Sequence, residues 1–259
     1  MRRLLGVLVA LGMAGCGDPT PVTGRFGEVT SAVVVINPVI NQGSTTTVTP
    51  GTERAGVRFK VANLDQVATD STGLVLVEDL PTGTVPLEFN PGSYSFQVVQ
   101  EKELYDVVLS YRDGTVQPLF PPVRYPLGGQ VVEVEPGGSI AQAAATDGTI
   151  IVLQPGTYPG NFELRSEGVL IFGAWSPEDG PLSVIEGNVT VLGGANRMRG
   201  VKINGLLTSN ANTLSVAFSD IASATITGNG VTLLRNRFTA GQAKVPSSSA
   251  VLVDNTGIP

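Results

Sequence analysis

Apolar triplets recur along the second half of the chain at Ile150-Ile151-Val152, Val169-Leu170-Ile171, Val189-Thr190-Val191, Leu206-Leu207-Thr208 and Thr225-Ile226-Thr227, their centres 19, 20, 17 and 19 residues apart. A recurrence of this length marks one supersecondary unit repeated, and such units bury their apolar sides only by stacking on one another. A second series, Met198/Ile203, Val216/Ile221 and Leu233/Phe238, is displaced by 18 and then 17 residues, so each coil carries at least two strands. Glycines at 168, 173, 187, 193, 194, 200, 205, 228 and 230 supply corners. About six coils at roughly 4.8 Å each make a stack about 29 Å tall. At its far end, Val251-Leu252-Val253 has no obvious cap. The final residues are expected to fold over that end; the alternative is a second chain, giving an oligomer through the C-terminal end.

The first half has a different texture. With 32 Gly, 18 Pro and 15% charged residues, the 259-residue chain favours short strands and tight turns over helices. Candidate strands lie at 31–36, 56–62, 74–77, 85–89, 93–99, 105–111 and 116–119. The clearest alternations, Val57/Phe59/Val61, Tyr94/Phe96/Val98 and Val107/Leu109/Tyr111, predict one apolar and one polar face each. About seven strands in about 100 residues read as an antiparallel β-sandwich. Glu78, Asp79, Glu101, Glu103 and Asp106 are scattered over expected outer faces and loops, which implies a solvated acidic surface; a calcium site is the sharper alternative. The fold class is therefore all-β, with a sandwich over 26–125 and a parallel β-helix over 130–259.

Two segments carry resemblances. Asp79-Leu80-Pro81 through Asn90-Pro91-Gly92-Ser93-Tyr94 resembles the carboxypeptidase-regulatory, transthyretin-like sandwiches of surface proteins. Ser139-Ile140-Ala141-Gln142, with the spacing of a capping box, precedes a short helix over 141–145. Asp147-Gly148-Thr149, a strand and Gln154-Pro155-Gly156-Thr157-Tyr158 follow. That order resembles the opening of right-handed parallel β-helices in the pectate-lyase and pectin-methylesterase superfamily. The resemblance implies, for lyases, calcium held by clustered carboxylates with a basic residue abstracting a proton, and for esterases, paired aspartates. Between Gly187 and Val253 the chain has one carboxylate, Asp220, and the spacing of Glu163, Glu186 and Asp254 predicts no convergence. The resemblance thus transfers fold rather than catalytic residues, and Asp220 is the one weak catalytic candidate.

The chain has no histidine, which excludes Ser-His-Asp and Cys-His catalysis, and one cysteine, Cys16, which excludes an intrachain disulfide. Met1-Arg2-Arg3 and the apolar run 4–14 read as a signal peptide, since 11 residues are too few to span a bilayer. Met13-Ala14-Gly15-Cys16 closes the signal segment 1–16 and resembles the lipobox of bacterial lipoproteins, which implies cleavage before Cys16, lipidation of Cys16 as the new N-terminus and a bilayer as partner. Residues 17–25 read as a linker. Gly17 stands where some bacteria place a retention aspartate, so the resemblance implies the outer membrane. A net charge of −6 disfavours nucleic acid.

Within the acidic chain, Arg197, Arg199, Lys202, Arg235, Arg237 and Lys244 face the single acid Asp220 between 187 and 253. Guanidinium forks match carboxylates and phosphates, so the first five of these residues are candidates for an anionic polysaccharide; the plainer expectation is an outward charged face. Trp175, in Gly173-Ala174-Trp175-Ser176-Pro177, is a candidate for stacking on a sugar ring, with packing against the sandwich as the plainer expectation. The sequence therefore points to a non-catalytic envelope lipoprotein with a structural or interaction role. Its alternatives are a binder of acidic glycans and a small polysaccharide lyase or hydrolase. No cofactor is expected, calcium being the weak exception.

Overall fold

The computed structural model describes residues 29–42, 45–47, 53–125, 130–176, 179–240, 243–245 and 250–258. Cys16, the signal segment and the linker lie outside them. Among the described residues the chain is all-β apart from one helical turn, Ile140–Ala143.

Two sheets form the first half. The outer one runs Gln66–Ala68, Arg58–Val61, Gly83–Glu88, Ser93–Val98, all antiparallel. The inner one runs Thr115–Pro118, Leu104–Arg112, Ser31–Ile36, Leu74–Val77, with Val123–Tyr125 also on Leu104–Arg112. The sandwich is antiparallel as expected except for one pair: Ser31–Ile36 and Leu104–Arg112 run parallel, Val34 opposite Val107. A parallel pair needs a long crossover, and the outer sheet is part of it.

The inner sheet is covered on both sides. Ala32, Val34, Ile36, Tyr105, Val107 and Leu109 pack against Phe59, Val61, Val85, Leu87, Phe96 and Val98 of the outer sheet. The alternate positions Val33, Val35, Leu104 and Val108 pack against Ile150, Leu170, Phe172, Ala217, Leu234 and Val253 of the second half. The continuous apolar run Val33-Val34-Val35-Ile36 is what a strand buried on both faces requires. Two of the carboxylates expected on the surface are buried: Asp106 because its strand is the middle layer of three, and Glu103, just ahead of that strand, beneath Arg124 and Tyr105.

The second half is a parallel solenoid with three faces. The first face stacks Val131–Val134, Ile150–Leu153, Leu170–Phe172, Arg197–Arg199, Ser215–Ala217, Val231–Leu234 and Ala250–Val253. The second stacks Gly156–Pro159, Ser183–Glu186, the starts of Val201–Ser209 and Asp220–Ile226, and Arg237–Phe238. The third stacks Phe162–Leu164, Val189–Val191, the ends of those two long strands, and Ala243–Lys244. Met198, Val216 and Leu233 are in register, as are Ile203, Ile221 and Phe238, matching the second series read from the sequence. The first series does not form one ladder. Its triplets around Ile151 and Leu170 lie on the first face and those around Thr190, Leu207 and Ile226 on or at the end of the third. The cause is an insertion after Phe172, which makes the Leu170 coil longer, so that Leu170 pairs with Arg197 rather than with a residue 17 to 20 positions on.

Each end of the solenoid is closed differently. At one end Ile140 of the helical turn is buried in the solenoid core, and Ser139 Oγ accepts the Gln142 N–H at 3.2 Å, the expected cap. At the other, the final residues give the expected cover, with Ile258 packed against the solenoid core, and the first half extends the edge of the first face: Ile40 pairs antiparallel with Val253, and Ile40–Gln42 pairs with Thr45–Thr47. The hairpin satisfies backbone groups that an open ladder would leave unpaired. Thr256 adds a bridge to Arg237 on the second face.

Candidate functional site

The insertion after Phe172 builds a small hairpin, Trp175–Ser176 against Gly180–Pro181. It leaves the stack at Gly173, where a Cβ would meet Gly200 O at 2.1 Å, so only glycine fits. Ser183 Oγ anchors the base, accepting from Ala174 N at 2.8 Å and donating within reach of Leu153 O and Gln154 O. Trp175 then meets Phe218 edge-on, ring centroids 5.6 Å apart.

Beneath Phe218 lies the polar joint between the halves. Arg199 Cζ is 4.3 Å from the Phe218 centroid. Its Nη2 donates to Asp106 Oδ1 at 3.1 Å, and Tyr125 Oη donates to Asp106 Oδ2 at 2.7 Å. Arg199 and Asp106 are 2% and 0% exposed, so the pair is inaccessible to a ligand. Burial, and then the Asp106 charge, push the Tyr125 hydroxyl well up from its ordinary value.

Above Phe218 opens a cleft of about 350 Å³ between the halves. Asp70, Thr72 and Leu74 line it from the sandwich, and Trp175, Phe218, Asp220, Arg235 and Arg237 from the solenoid. Asp70 Oδ1 accepts from Thr72 N, Thr72 Oγ1 and Leu74 N, which fixes that loop as a tight turn. Arg237 forks Asp220, Nε to Oδ1 at 3.1 Å and Nη2 to Oδ2. The hydrogen bond and charge of Asp220 raise the Arg237 guanidinium further. A second cleft, about 650 Å³, shares Thr72 and Arg235 with the first and adds Arg54, Asp254, Asn255 and Ile258.

Four of the residues singled out in the sequence thus come together: Trp175, Asp220, Arg235 and Arg237. The others do not join them. Arg199 is buried under the sandwich, and Arg197 lies two positions back on the same strand, half-buried. Lys202 sits one coil from Asp220 in register, half-buried on the second face. Lys244 is exposed on the third. Glu163 pairs with Arg165, Glu186 accepts from Asn204, and Asp254 turns into the second cleft. Sequence reasoning missed Asp70, Thr72 and Arg54; the partners of Thr72 and Arg54 across the seam, Arg235 and Asp254, lie far away along the chain. The Asp-x-Thr-Gly turn at 70–73 was its only local signal.

Three of the six bases are matched by acids: Arg199 by Asp106, Arg235 by Asp254 and Arg237 by Asp220. Among the described residues no three of His, Cys, Asp or Glu gather as a metal site, and no helix is long and apolar enough to cross a membrane. The chain matches no known family, no curated protein and no solved structure.

Proposed function

We propose that this protein is a non-catalytic lipoprotein of the cell envelope, tethered through Cys16 and presenting a rigid three-layer body for interaction. The observation that supports a binding role over a hydrolytic or lyase one is the Arg237 fork on Asp220. A carboxylate acting as general acid or base must exchange its proton with substrate, and this one is committed to two charge-assisted bonds. The tether rests on Met13-Ala14-Gly15-Cys16, and outer-membrane sorting on Gly17.

Two experiments test the reading. Incubation of the full chain with acidic polysaccharides and calcium is expected to release no product; turnover that disappears in Asp220→Asn would overturn it. Metabolic labelling with a palmitate analogue is expected to mark the wild type and not Cys16→Ser.

A carbohydrate-binding role is the second reading, favoured by one observation: the only tryptophan lines an open cleft beside hydroxyl, carboxylate and guanidinium groups. An indole face and surrounding polar groups suit a sugar ring. A glycan array with wild type and Trp175→Ala tests it, with loss of signal in the variant expected.

A further inference from the structure

We infer that the second cleft is a binding site for one oxyanion group, a carboxylate or a phosphate or sulfate ester of a small ligand, gripped by Arg54 from the sandwich side and Arg235 from the solenoid. The inference goes beyond the proposed function and stands whether or not the first cleft binds sugar.

Arg54 and Arg235 converge on the same two acceptors. Arg54 Nη2 donates to Asp254 Oδ2 at 2.5 Å and to Thr72 O at 2.7 Å. Arg235 Nε donates to Asp254 Oδ2 at 3.2 Å, and its Nη2 to Thr72 O at 2.6 Å. The other Asp254 oxygen takes the Val39 N–H at 2.5 Å. Two guanidinium groups therefore share one carboxylate, and Asp254 has both oxygens engaged. The next carboxylate, Asp70, spends an oxygen on its own turn.

A guanidinium has five N–H donors. The four bonds above use neither Nη1, and Arg54 Nε is buried with no hydrogen-bond partner. An orphaned buried donor on a charged group is costly, and the same Arg54 side chain, 27% exposed, lines a cleft of about 650 Å³ together with Arg235. Burial, with the Arg54 charge adding to it, pulls the Arg235 guanidinium down, while Asp254 and Asp70 act against that. An oxyanion placed between the arginines would give their Nη1 groups an acceptor and relieve the repulsion of like charges. Planar forks bind such a group in two-point fashion, which a lysine does not match. Because the first cleft shares Thr72 and Arg235, the body of the ligand has room to extend toward Trp175.

The test uses the full chain titrated at constant ionic strength with glucuronate, inorganic phosphate and, as the uncharged control, glucose. Glucuronate or phosphate is expected to bind and raise the melting temperature, glucose and chloride to do neither. Which of the two oxyanions binds tells a carboxylate ligand from a phosphate one. Arg54→Gln is expected to weaken the binding about tenfold or more, and Lys244→Gln to leave it unchanged. Should Arg54→Gln not fold, phenylglyoxal modification of the wild type reads the same site: the oxyanion should protect Arg54 and Arg235 but not exposed Arg112. Binding no better than chloride, wild-type affinity in a folded Arg54→Gln, or absence of selective protection would each overturn the inference. Polysaccharide turnover reports separately on the non-catalytic reading.

Discussion

Strands Arg58–Val61 and Ser31–Ile36 belong to the same sandwich and obey different rules. In the first, burial alternates, with Phe59 and Val61 inside and Arg58 and Lys60 exposed; in the second every residue is buried. The outer sheet meets water on one side, the inner sheet meets the solenoid. Period-two alternation therefore reports how many layers cover a strand as well as which side faces the core.

The largest test of that contrast is at the polar joint. Removing Arg199 as Arg199→Ala leaves Asp106 buried without its cation, which should cost about 3–5 kcal/mol in denaturant unfolding. A cost near that of a surface substitution would mean that the halves are not in close contact. Next come two leucines. Leu87→Ala lies in the sandwich core and Leu104→Ala under the solenoid; each should cost about 2–5 kcal/mol. If Leu104→Ala were much cheaper than Leu87→Ala, the middle layer would be open on one side.

A smaller effect is expected from Glu103, at the sandwich edge of the middle layer. Burial opposes its charge, but the hydrogen bonds from Arg124 and Tyr105 outweigh this and hold the carboxyl below its ordinary range. A carboxyl depressed on folding adds stability above its unfolded value and loses it as pH falls through the folded one. Between about pH 5 and about pH 2 the wild type should therefore lose stability more steeply than Arg124→Gln, as judged by unfolding midpoints. Smallest of all, Lys60→Ala on the exposed face should change stability by less than about 0.5 kcal/mol.

Periodicity made much of the fold legible. The all-β class, the position of the helical turn and two solenoid ladders follow from local patterns such as Met198/Val216/Leu233, because stacking repeats one spacing. The parallel pairing of Ser31–Ile36, the burial of Asp106 and the Trp175 insertion were hidden for a common reason. Each depends on what another part of the chain places next to it. The strand Leu104–Arg112 reads as half-polar because Asp106 is polar, yet its partner Arg199 is 93 residues further on. The site was legible on the solenoid, where Asp220, Arg235 and Arg237 are set by the repeat and Trp175 stands out as the one tryptophan of the sequence. Its other wall, Arg54 and Asp70–Thr72, comes from a loop with no period to read.

The pairing of Ile40 with Val253 has a consequence for how the chain reaches this state. Ile40 is made long before Val253, so closing this pair joins residues far apart along the chain, a separation that slows folding. Until that moment both the waiting hairpin and the growing edge of the stack are sticky, and the interval between them is when the protein most needs protection from its neighbours.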